Sequence, residues 1–246
     1  MSRSLERGLE CLIFMSKRKS IGVTELANEL NINKSTAFRI LDTLVKYNMA
    51  EQNKSTAKYK LGPAVLKLSE QLNKNMNIIS LAKPVMIKLA EEIKESVHLT
   101  VMSNDSAVII EQIMTSSRLQ VNAKIGNAEP LHCSSVGKCL LAFSPDDVKE
   151  QILKNMEYTS YTDKTITDEA AMKKEINNII ERGYAVDDGE ISEEIKCIAA
   201  PIYVNGAALY SMGVSGPYFR MNGDKTAIIT DKLLYATRLI SNQLGG

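Results

Sequence analysis

The chain has 246 residues, of which 44% are hydrophobic and 24% are charged, and its formal net charge is +1. This length suits one large domain or two modest ones, and the composition excludes a disordered or fibrous chain. No apolar run is long enough to span a bilayer, and the first residues, MSRSLERGLE, are unlike a signal peptide, so we expect a cytoplasmic protein.

The four cysteines are scattered and form no CxxC pair. With only two histidines beside them, they indicate free thiols in a reducing compartment, and neither a disulfide framework nor a zinc site. We therefore expect no bound metal and no cofactor. The cysteines are Cys11, Cys133, Cys139 and Cys197.

Charge is unevenly distributed along the chain. Residues 1–76 carry 13 Lys and Arg against 7 Asp and Glu, whereas the remainder carries 17 against 22. A basic N-terminal part followed by an acidic remainder favours nucleic-acid binding through the basic part. Chance segregation would give the same asymmetry, so this observation depends on the motif within it.

That motif, residues 24–62, has the order of a winged helix-turn-helix. We expect a helix from Ser4 to Ser16 before it, packed against it. Thr24 is predicted to cap the next helix, with Glu25 in its first turn. Residues 31–33 then form a tight turn in which Ile32 is predicted to be buried.

The next predicted helix opens at Lys34 and is amphipathic. Its apolar residues are spaced three and four apart. Its other face carries small hydroxyls and basic side chains, which suit phosphates and base edges in a major groove. The apolar positions are Ala37, Ile40, Leu41, Leu44 and Val45. The candidate DNA contacts of this motif are Thr24, Lys34, Ser35, Thr36, Arg39 and Thr43.

A short β-hairpin follows, with strands predicted at 49–52 and 58–61 and a polar tip at 53–57. Basic side chains on such a wing contact phosphates and add affinity without sequence information. A solvated helix face, or a winged helix that binds protein or RNA, is the alternative; sequence-specific binding to duplex DNA would exclude it. The basic wing residues are Lys54, Lys58 and Lys60, of which Lys54 and Lys58 are the candidate contacts.

Beyond the hairpin, residues 63–77 are predicted to form a linker helix with a polar hinge at 73–77. The domains are therefore predicted as 1–62 and 78–246. The second begins with an amphipathic helix to about Lys94, with Pro84 near its start or at a kink.

The second domain alternates strands and helices, which predicts an α+β fold. Asn104-Asp105 and Asn205-Gly206 are predicted hairpin turns, and Thr167 is predicted to cap a helix that Gly183 ends. Strands are predicted at 96–103, 107–114, 118–125, 184–191, 197–204 and 208–216, and helices at 134–142, 145–155, 168–182 and 224–244.

Seven segments in order resemble the IclR family of bacterial transcriptional regulators. SLERGLECL, TELANELNINKSTAFRILDTL and KYKLGPAVLKL resemble its DNA-binding domain, and PLHCSSVGKCLLAF, GYAVDDGE, IKCIAAPI and VSGP its effector domain. The resemblance implies a winged helix-turn-helix joined by a linker helix to a GAF-like effector-binding domain. It also implies a repressor that forms dimers, which can pair into tetramers, and that reads a pseudo-palindromic operator.

The resemblance also implies a pocket for a small effector, expected to be an organic acid. A helix N-terminus near Ser135 would hold a carboxylate. Relatives carry a hydroxyl residue where this chain has Gly213. We expect an aliphatic wall from Leu119, Val121 and Leu131. The effector contacts implied by position are Ser135, Val136, Asp187, Ile195, Cys197, Gly213 and Ser215.

Several of these residues have a simpler structural interpretation. Ser134 and Ser135 would also serve as helix caps, and Asp187-Asp188-Gly189 as a turn. Cys197 in CIAAPI is typical of a small core residue. From the residues alone these alternatives stay open, and the resemblance favours ligand binding.

An enzyme is the main rival interpretation. His132 and Cys133 are adjacent in sequence, and neighbouring side chains on a strand or loop usually point apart. His98 lies in an alternating strand and is interpreted as a packed residue. Asp187 and Asp188 would alternate faces, which suits an acid–base pair poorly. Because there is also no P-loop and no GxGxxG, the sequence predicts no catalytic residues.

Overall fold

Residues 2–75, 77–115, 117–121 and 123–246 are described in a computed structural model, with residues 70–75 and 77 described by their backbone alone. The chain divides into two units, residues 1–77 and 78–246. The predicted hinge at 73–77 includes Met76, which lies outside the described residues.

The first unit has the predicted order of elements. A helix pair, α2 and α3, packs together, and α1 and the hairpin of β1 and β2 complete the core. Cys11, Leu26, Leu41 and Tyr59 are among its buried side chains, and the first three helices and both strands contribute to one cluster, whereas no described side chain of α4 does. The elements are α1 (Arg3–Ser16), α2 (Val23–Glu29), α3 (Lys34–Lys46), β1 (Ala50–Gln52), β2 (Tyr59–Leu61) and α4 (Ala64–Asn75).

The start of α2 differs from the prediction. Its N-cap is Gly22, and Thr24 lies exposed in the first turn. The Gly22 N–H donates to Glu25 Oε2 at 2.6 Å, so a glutamate at the third position satisfies the cap and no threonine hydroxyl is needed. The following turn forms at Asn31, with φ +49°, and Ile32 is half-buried rather than fully buried.

The second unit contains a sheet flanked by helices. Its six strands are all antiparallel, in the order β5-β4-β3-β8-β7-β6. The elements are α5 (Asn77–Ile93), β3 (Ser96–Ser103), β4 (Ser106–Ile113), β5 (Ala128–Pro130), α6 (Ser135–Ala142), α7 (Asp146–Asn155), α8 (Glu169–Arg182), β6 (Ala185–Asp187), β7 (Ile195–Val204), β8 (Ala207–Pro217) and α9 (Gly223–Gln243).

Both faces of this sheet are covered. Ala199 on β7 packs in the cluster formed by α6, α7 and α8. Its neighbours Ile198 and Ala200 point to the opposite face and are fully buried, and α9 packs against β7 and β8. The tight β7–β8 hairpin turns at Asn205-Gly206, where both residues have positive φ, as predicted.

Two local predictions for this unit were wrong. No strand forms in the described part of 118–125. The strand that pairs with β4 is β5, which begins further along the chain at Ala128. Asp168, not Thr167, caps α8, because its carboxylate accepts the Ala171 N–H at 2.9 Å. Pro84 lies inside α5 and not near its start, so of the two predicted alternatives the kink stays a prediction.

No helix among the described residues is long and apolar enough to cross a membrane.

Candidate DNA-binding surface and ligand cavity

The exposed face of α3 carries most of the predicted DNA contacts. The helix begins at Lys34 because Asn33 caps it: the Asn33 side chain accepts the Thr36 N–H at 2.8 Å. Ser35 also donates to Asn33, at 2.9 Å between the oxygens. The first turn is thereby held rigid, while Lys34, Ser35 and Arg39 remain exposed.

Two further predicted contact residues are less available to DNA, because each interacts with the rest of the helix. Thr36 is half-buried, and the Thr43 hydroxyl donates to the Arg39 carbonyl at 2.7 Å. Thr43 therefore offers outward its lone pairs and methyl group, and not its proton.

The wing tip is shaped by one side chain. Asn53 Oδ1 accepts the N–H groups of Ser55 and Thr56, at 2.9 and 3.2 Å, which folds the tip into a turn. Lys54 and Lys58 project from this turn into solvent.

The four cations among the predicted DNA contacts of this unit are available to an anionic partner. Within the part of the chain that the structure describes, none of them forms an ion pair. Lys60, by contrast, lies 3.0 Å from Glu51 on the neighbouring strand and is neutralised there. The available cations are Lys34, Arg39, Lys54 and Lys58.

Two residues on this surface were missed by the sequence analysis. Phe38 has half of its side chain exposed, and Asp42 is also exposed. Their spacing of three and four from Ser35 and Arg39 places all four on one helix face. That spacing was the sequence signal by which the two residues could have been found. An apolar ring can contact a thymine methyl group, and a carboxylate can accept a hydrogen bond from a cytosine amine.

In the second unit, a cavity of about 200 Å³ forms beside the start of α6. Six of the seven predicted effector contacts line it, and Gly213 lies directly behind two lining side chains. The six residues are Ser135, Val136, Asp187, Ile195, Cys197 and Ser215.

Strand register brings the polar part of this lining together. Asp187 pairs with Cys197, Cys197 with Ser215, and Ser215 with Ser96, so the four form one row across β6, β7, β8 and β3. Ser215 Oγ lies 3.1 Å from Cys197 Sγ and donates to it. Burial raises the pKa of the Cys197 thiol above its usual range, so it is neutral.

The start of α6 forms another wall. Ser134 caps the helix by accepting the Gly137 N–H at 2.9 Å. The N–H groups of Ser135 and Val136 belong to the first turn and have no carbonyl partner within the helix. Together with the helix dipole, they offer a place for an anionic oxygen at the cavity.

The opposite side of the cavity is acidic. Burial raises the pKa of Asp187, while N–H groups of the following loop and the Lys138 ammonium oppose that rise. Burial, and then the charge of Asp187, raise the pKa of Glu129. The described lining contains no Lys or Arg, so hydrogen-bond donors of a ligand are favoured beside these carboxyls.

A buried ion pair supports this wall from behind. Lys138 on α6 is almost fully buried and pairs with Glu190, and also lies 3.8 Å from Glu175. The Glu190 N–H donates to Asp187 Oδ1 at 2.6 Å, which links the pair to the cavity. Burial raises the pKa of Glu190 to about 7, against the lowering effect of Lys138. A single lysine in the apolar segment VGKCLLA was the sequence signal.

The predicted aliphatic wall is only partly present. Val121 lines the cavity, but Leu119 is 55% exposed and Leu131 packs in the core cluster under α6. The alternation of apolar and polar residues in 118–125 reflects this arrangement, because Val121 and Ala123 line the cavity. The segment does not pair with any strand among the described residues.

The site also contains a residue that was interpreted only as packed. His98 lines the cavity, with 4% of its surface exposed, and burial lowers its pKa to about 4. It lies opposite Gly213 on the adjacent strand, so the imidazole ring occupies the space beside position 213. Only the register of β3 on β8 could reveal this.

The geometry does not assemble the rival catalytic pair. His132 Nε2 lies 2.9 Å from the Thr159 carbonyl oxygen, and burial raises the pKa of Cys133 to about 12. A larger depression of about 620 Å³ lies beside His132 and α7; Leu131, predicted for the aliphatic wall, lines it, but none of the seven predicted effector contacts does. The smaller cavity is the better site because buried polar groups converge on it.

Comparison with known proteins agrees with both regions. The family profile for the IclR helix-turn-helix domain matches residues 4–54, and the profile for the bacterial transcriptional regulator IclR C-terminal domain matches residues 70–242. The HTH-type transcriptional regulator BhcR of Paracoccus denitrificans is 31% identical over 241 residues, covering 97% of this chain and 86% of BhcR.

Two further proteins are similar over nearly the whole chain. The transcriptional repressor IclR of Escherichia coli is 26% identical, covering 99% of this chain and 90% of its own. The crystal structure of an IclR homolog complexed with 4-hydroxybenzoate from Microbacterium hydrocarbonoxydans shares the fold, with a TM-score of 0.86, 22% identity and 98% coverage of both chains.

A winged helix-turn-helix followed in the chain by an α+β unit with an enclosed polar cavity defines a DNA-binding transcriptional regulator. The chain belongs to the IclR family of bacterial transcriptional regulators. The predictions of the family, of the fold class and of a regulator rather than an enzyme are confirmed.

Proposed function

We propose that this protein is a repressor that binds a pseudo-palindromic operator through α3 and the wing, and that a small hydroxylated organic acid controls that binding. The convergence of six predicted contacts on one buried cavity carries the effector part of this proposal. The similarity to a protein named a transcriptional repressor supports repression. Because the operator is chromosomal DNA, we place the protein in the cytoplasm.

For DNA, α3 would lie in the major groove. Lys34, Ser35 and Arg39 face outward from its first two turns, which is where recognition helices contact bases. Lys54 and Lys58 would contact phosphates beside the groove. Thr36 and Thr43 on α3 and the exposed Thr24 on α2 remain secondary candidates.

For assembly, α1 offers an apolar stripe. Leu5, Leu9 and Ile13 are spaced four apart and are 63%, 53% and 57% exposed. Residues with this spacing share one helix face, and an apolar face of this kind marks an interface. We propose a homodimer through this face, which can pair into a tetramer, with two α3 helices about 34 Å apart on DNA. Residues 63–77 would serve as the linker between residues 1–62 and the effector domain, 78–246.

For the effector, the cavity itself suggests the chemistry. A carboxylate would accept the free N–H groups at the start of α6, and hydroxyl groups would donate to Asp187 and Glu129. The crystallised homolog with 4-hydroxybenzoate supports this class, because that compound has one carboxylate and one hydroxyl. At about 200 Å³ the cavity is below the range of drug-sized pockets, which favours a small metabolite.

The test is a gel shift with the purified protein and its upstream intergenic DNA, with a panel of hydroxy acids, sugar acids and 4-hydroxybenzoate. We expect a sequence-specific shift that one compound alters, and an Asp187→Asn variant that binds DNA normally but no longer responds. No preference over random duplex would contradict operator binding. Loss of DNA binding by folded Asp187→Asn would indicate that Asp187 only anchors its loop.

A further inference from the structure

The cavity contains a polar side chain that the folded chain leaves unsatisfied. His98 is more than nine-tenths buried, and its Nδ1 has no hydrogen-bond partner among the described residues. Ser96 Oγ and Gln112 Nε2 are also buried without such a partner. Ser96 is two residues from His98 on β3, and Gln112 is its register partner on β4, so the three share one face.

An unsatisfied buried polar group is costly, and most buried polar groups in folded proteins are paired. Burial holds the pKa of His98 at about 4, so the imidazole is neutral near pH 7 and offers one donor and one acceptor. Because His98 lines the cavity but its Nδ1 is covered, a ligand oxygen there can satisfy the ring once the ring turns Nδ1 toward it.

The imidazole ring of His98 fits at its position because residue 213 is a glycine. A Cβ added to Gly213 would overlap with His98 Nε2 and would lie 2.7 Å from both His98 Cε1 and Val136 Cγ1. Gly213 and His98 are register partners on β8 and β3, so no larger residue fits at 213 while the ring occupies this position. Val136 closes the other side and is itself part of the cavity lining.

We propose that His98 binds the effector directly, and that the His98–Gly213 pair determines which oxygen-bearing group the cavity accepts. This inference rests on the proposed effector function. The ring hydrogen-bonds a hydroxyl or carboxylate oxygen of the effector, on the sheet side of the cavity. The start of α6 and Asp187 contact its other polar groups.

The first experiment uses the small number of histidines. The chain contains two, so protein labelled with ¹⁵N-histidine gives two pairs of imidazole nitrogen signals, and His132→Gln assigns them. The probes are 4-hydroxybenzoate, glycerate and gluconate, titrated into the full-length protein with calorimetry in parallel. We expect the probe that binds to shift the His98 nitrogen signals. The His132 signals stay fixed, because His132 Nε2 is already bonded to the Thr159 carbonyl.

The second experiment uses variants of the same pair. His98→Leu should weaken the binding probe about tenfold, the loss expected when a ligand oxygen is left unpaired. His98→Asn keeps a polar group near the Nδ1 position and should restore part of that affinity. Gly213→Ser alone should weaken binding and lower the melting temperature, and adding His98→Ala should restore the melting temperature but not the affinity, because the ring that contacts the effector is gone.

The outcomes separate this inference from the proposed function. One outcome is that a probe binds the wild-type protein and Asp187→Asn loses that binding, while His98→Leu keeps full affinity and the His98 signals do not move. That outcome overturns only the role of His98. If none of the three probes binds the wild-type protein, the proposed effector class fails and this inference fails with it. If His98→Leu does not fold, the affinity of a folded His98→Asn variant still tests the role of His98.

Discussion

The two candidate sites present their polar residues in opposite ways. In the first unit, Lys34, Arg39, Lys54 and Lys58 are exposed and unpaired among the described residues. In the second, the polar side chains of the cavity are buried and held by strand register and by an ion pair behind them. A surface that meets a long polyanion gains from freely exposed cations, whereas a small ligand needs fixed partners away from water.

This difference predicts that substitutions at the two sites act on different quantities. Changes in the first unit should alter DNA affinity with little change in the free energy of unfolding. Changes in the second unit should alter both stability and effector response, because the same buried groups serve packing and binding.

The largest effect is expected at the buried ion pair. Lys138→Met leaves Glu190 without its cation, and removing one partner of a buried pair costs about 3–5 kcal/mol in unfolding free energy. Urea denaturation at pH 8 measures it. Lys173→Met, which removes a half-exposed pair with Glu169, is the matched control and should cost far less, because solvent screens that pair. Equal costs for the two variants would contradict the structural role of Lys138.

The next effect is expected at Arg39. Arg39→Ala should weaken operator binding by about 1–3 kcal/mol if the side chain reads a guanine, with unfolding unchanged. Arg39→Lys is the control because it keeps the charge but loses the bidentate fork. Binding titrations on the operator and on random duplex distinguish the two roles. Full affinity and specificity in Arg39→Lys would show that Arg39 contacts only phosphate.

A third prediction concerns pH. The pKa of His98 is lowered from 6.5 to about 4 in the folded chain. Between these pH values, His98 is protonated in the unfolded chain and neutral in the folded chain. Stability should therefore fall as the pH falls from 6.5 to 4, by about 1.4 kcal/mol per pH unit relative to His98→Asn. Asp187 and Glu129 titrate in both proteins, so the difference isolates His98. Parallel pH profiles for the two proteins would show that His98 is not held neutral.

The smallest effects are expected on the wing. Lys54→Ala and Lys58→Ala should each lower affinity equally for operator and random DNA, and each should reduce the slope of log K against log salt by about 0.9. Lys60→Ala is the control, because Lys60 is already paired with Glu51. A loss of sequence preference in either variant would assign that lysine to base contact instead of phosphate contact.

Much of the first unit could be predicted because its signals are local. Apolar spacing in α3 and turn residues at 31–33 specify their structure over a few residues. The cap of α2 was misassigned because Gly22 and Thr24 both precede an apolar run, and only the Gly22–Glu25 hydrogen bond decides between them. In the second unit, segment 118–125 alternates like a strand, although its alternation comes from lining a cavity on one side.

By itself, the sequence determined the order of the elements in the first unit through local periodicity, and its motifs, by their resemblance to the IclR family, indicated the family and six of the cavity residues. Tertiary structure alone decided that His98 meets Gly213 and that Lys138 pairs with Glu190, 52 residues away. Such contacts follow from strand register and helix packing between distant segments. A one-residue change in register would turn every side chain of a strand to its other face, and no local pattern specifies the partner.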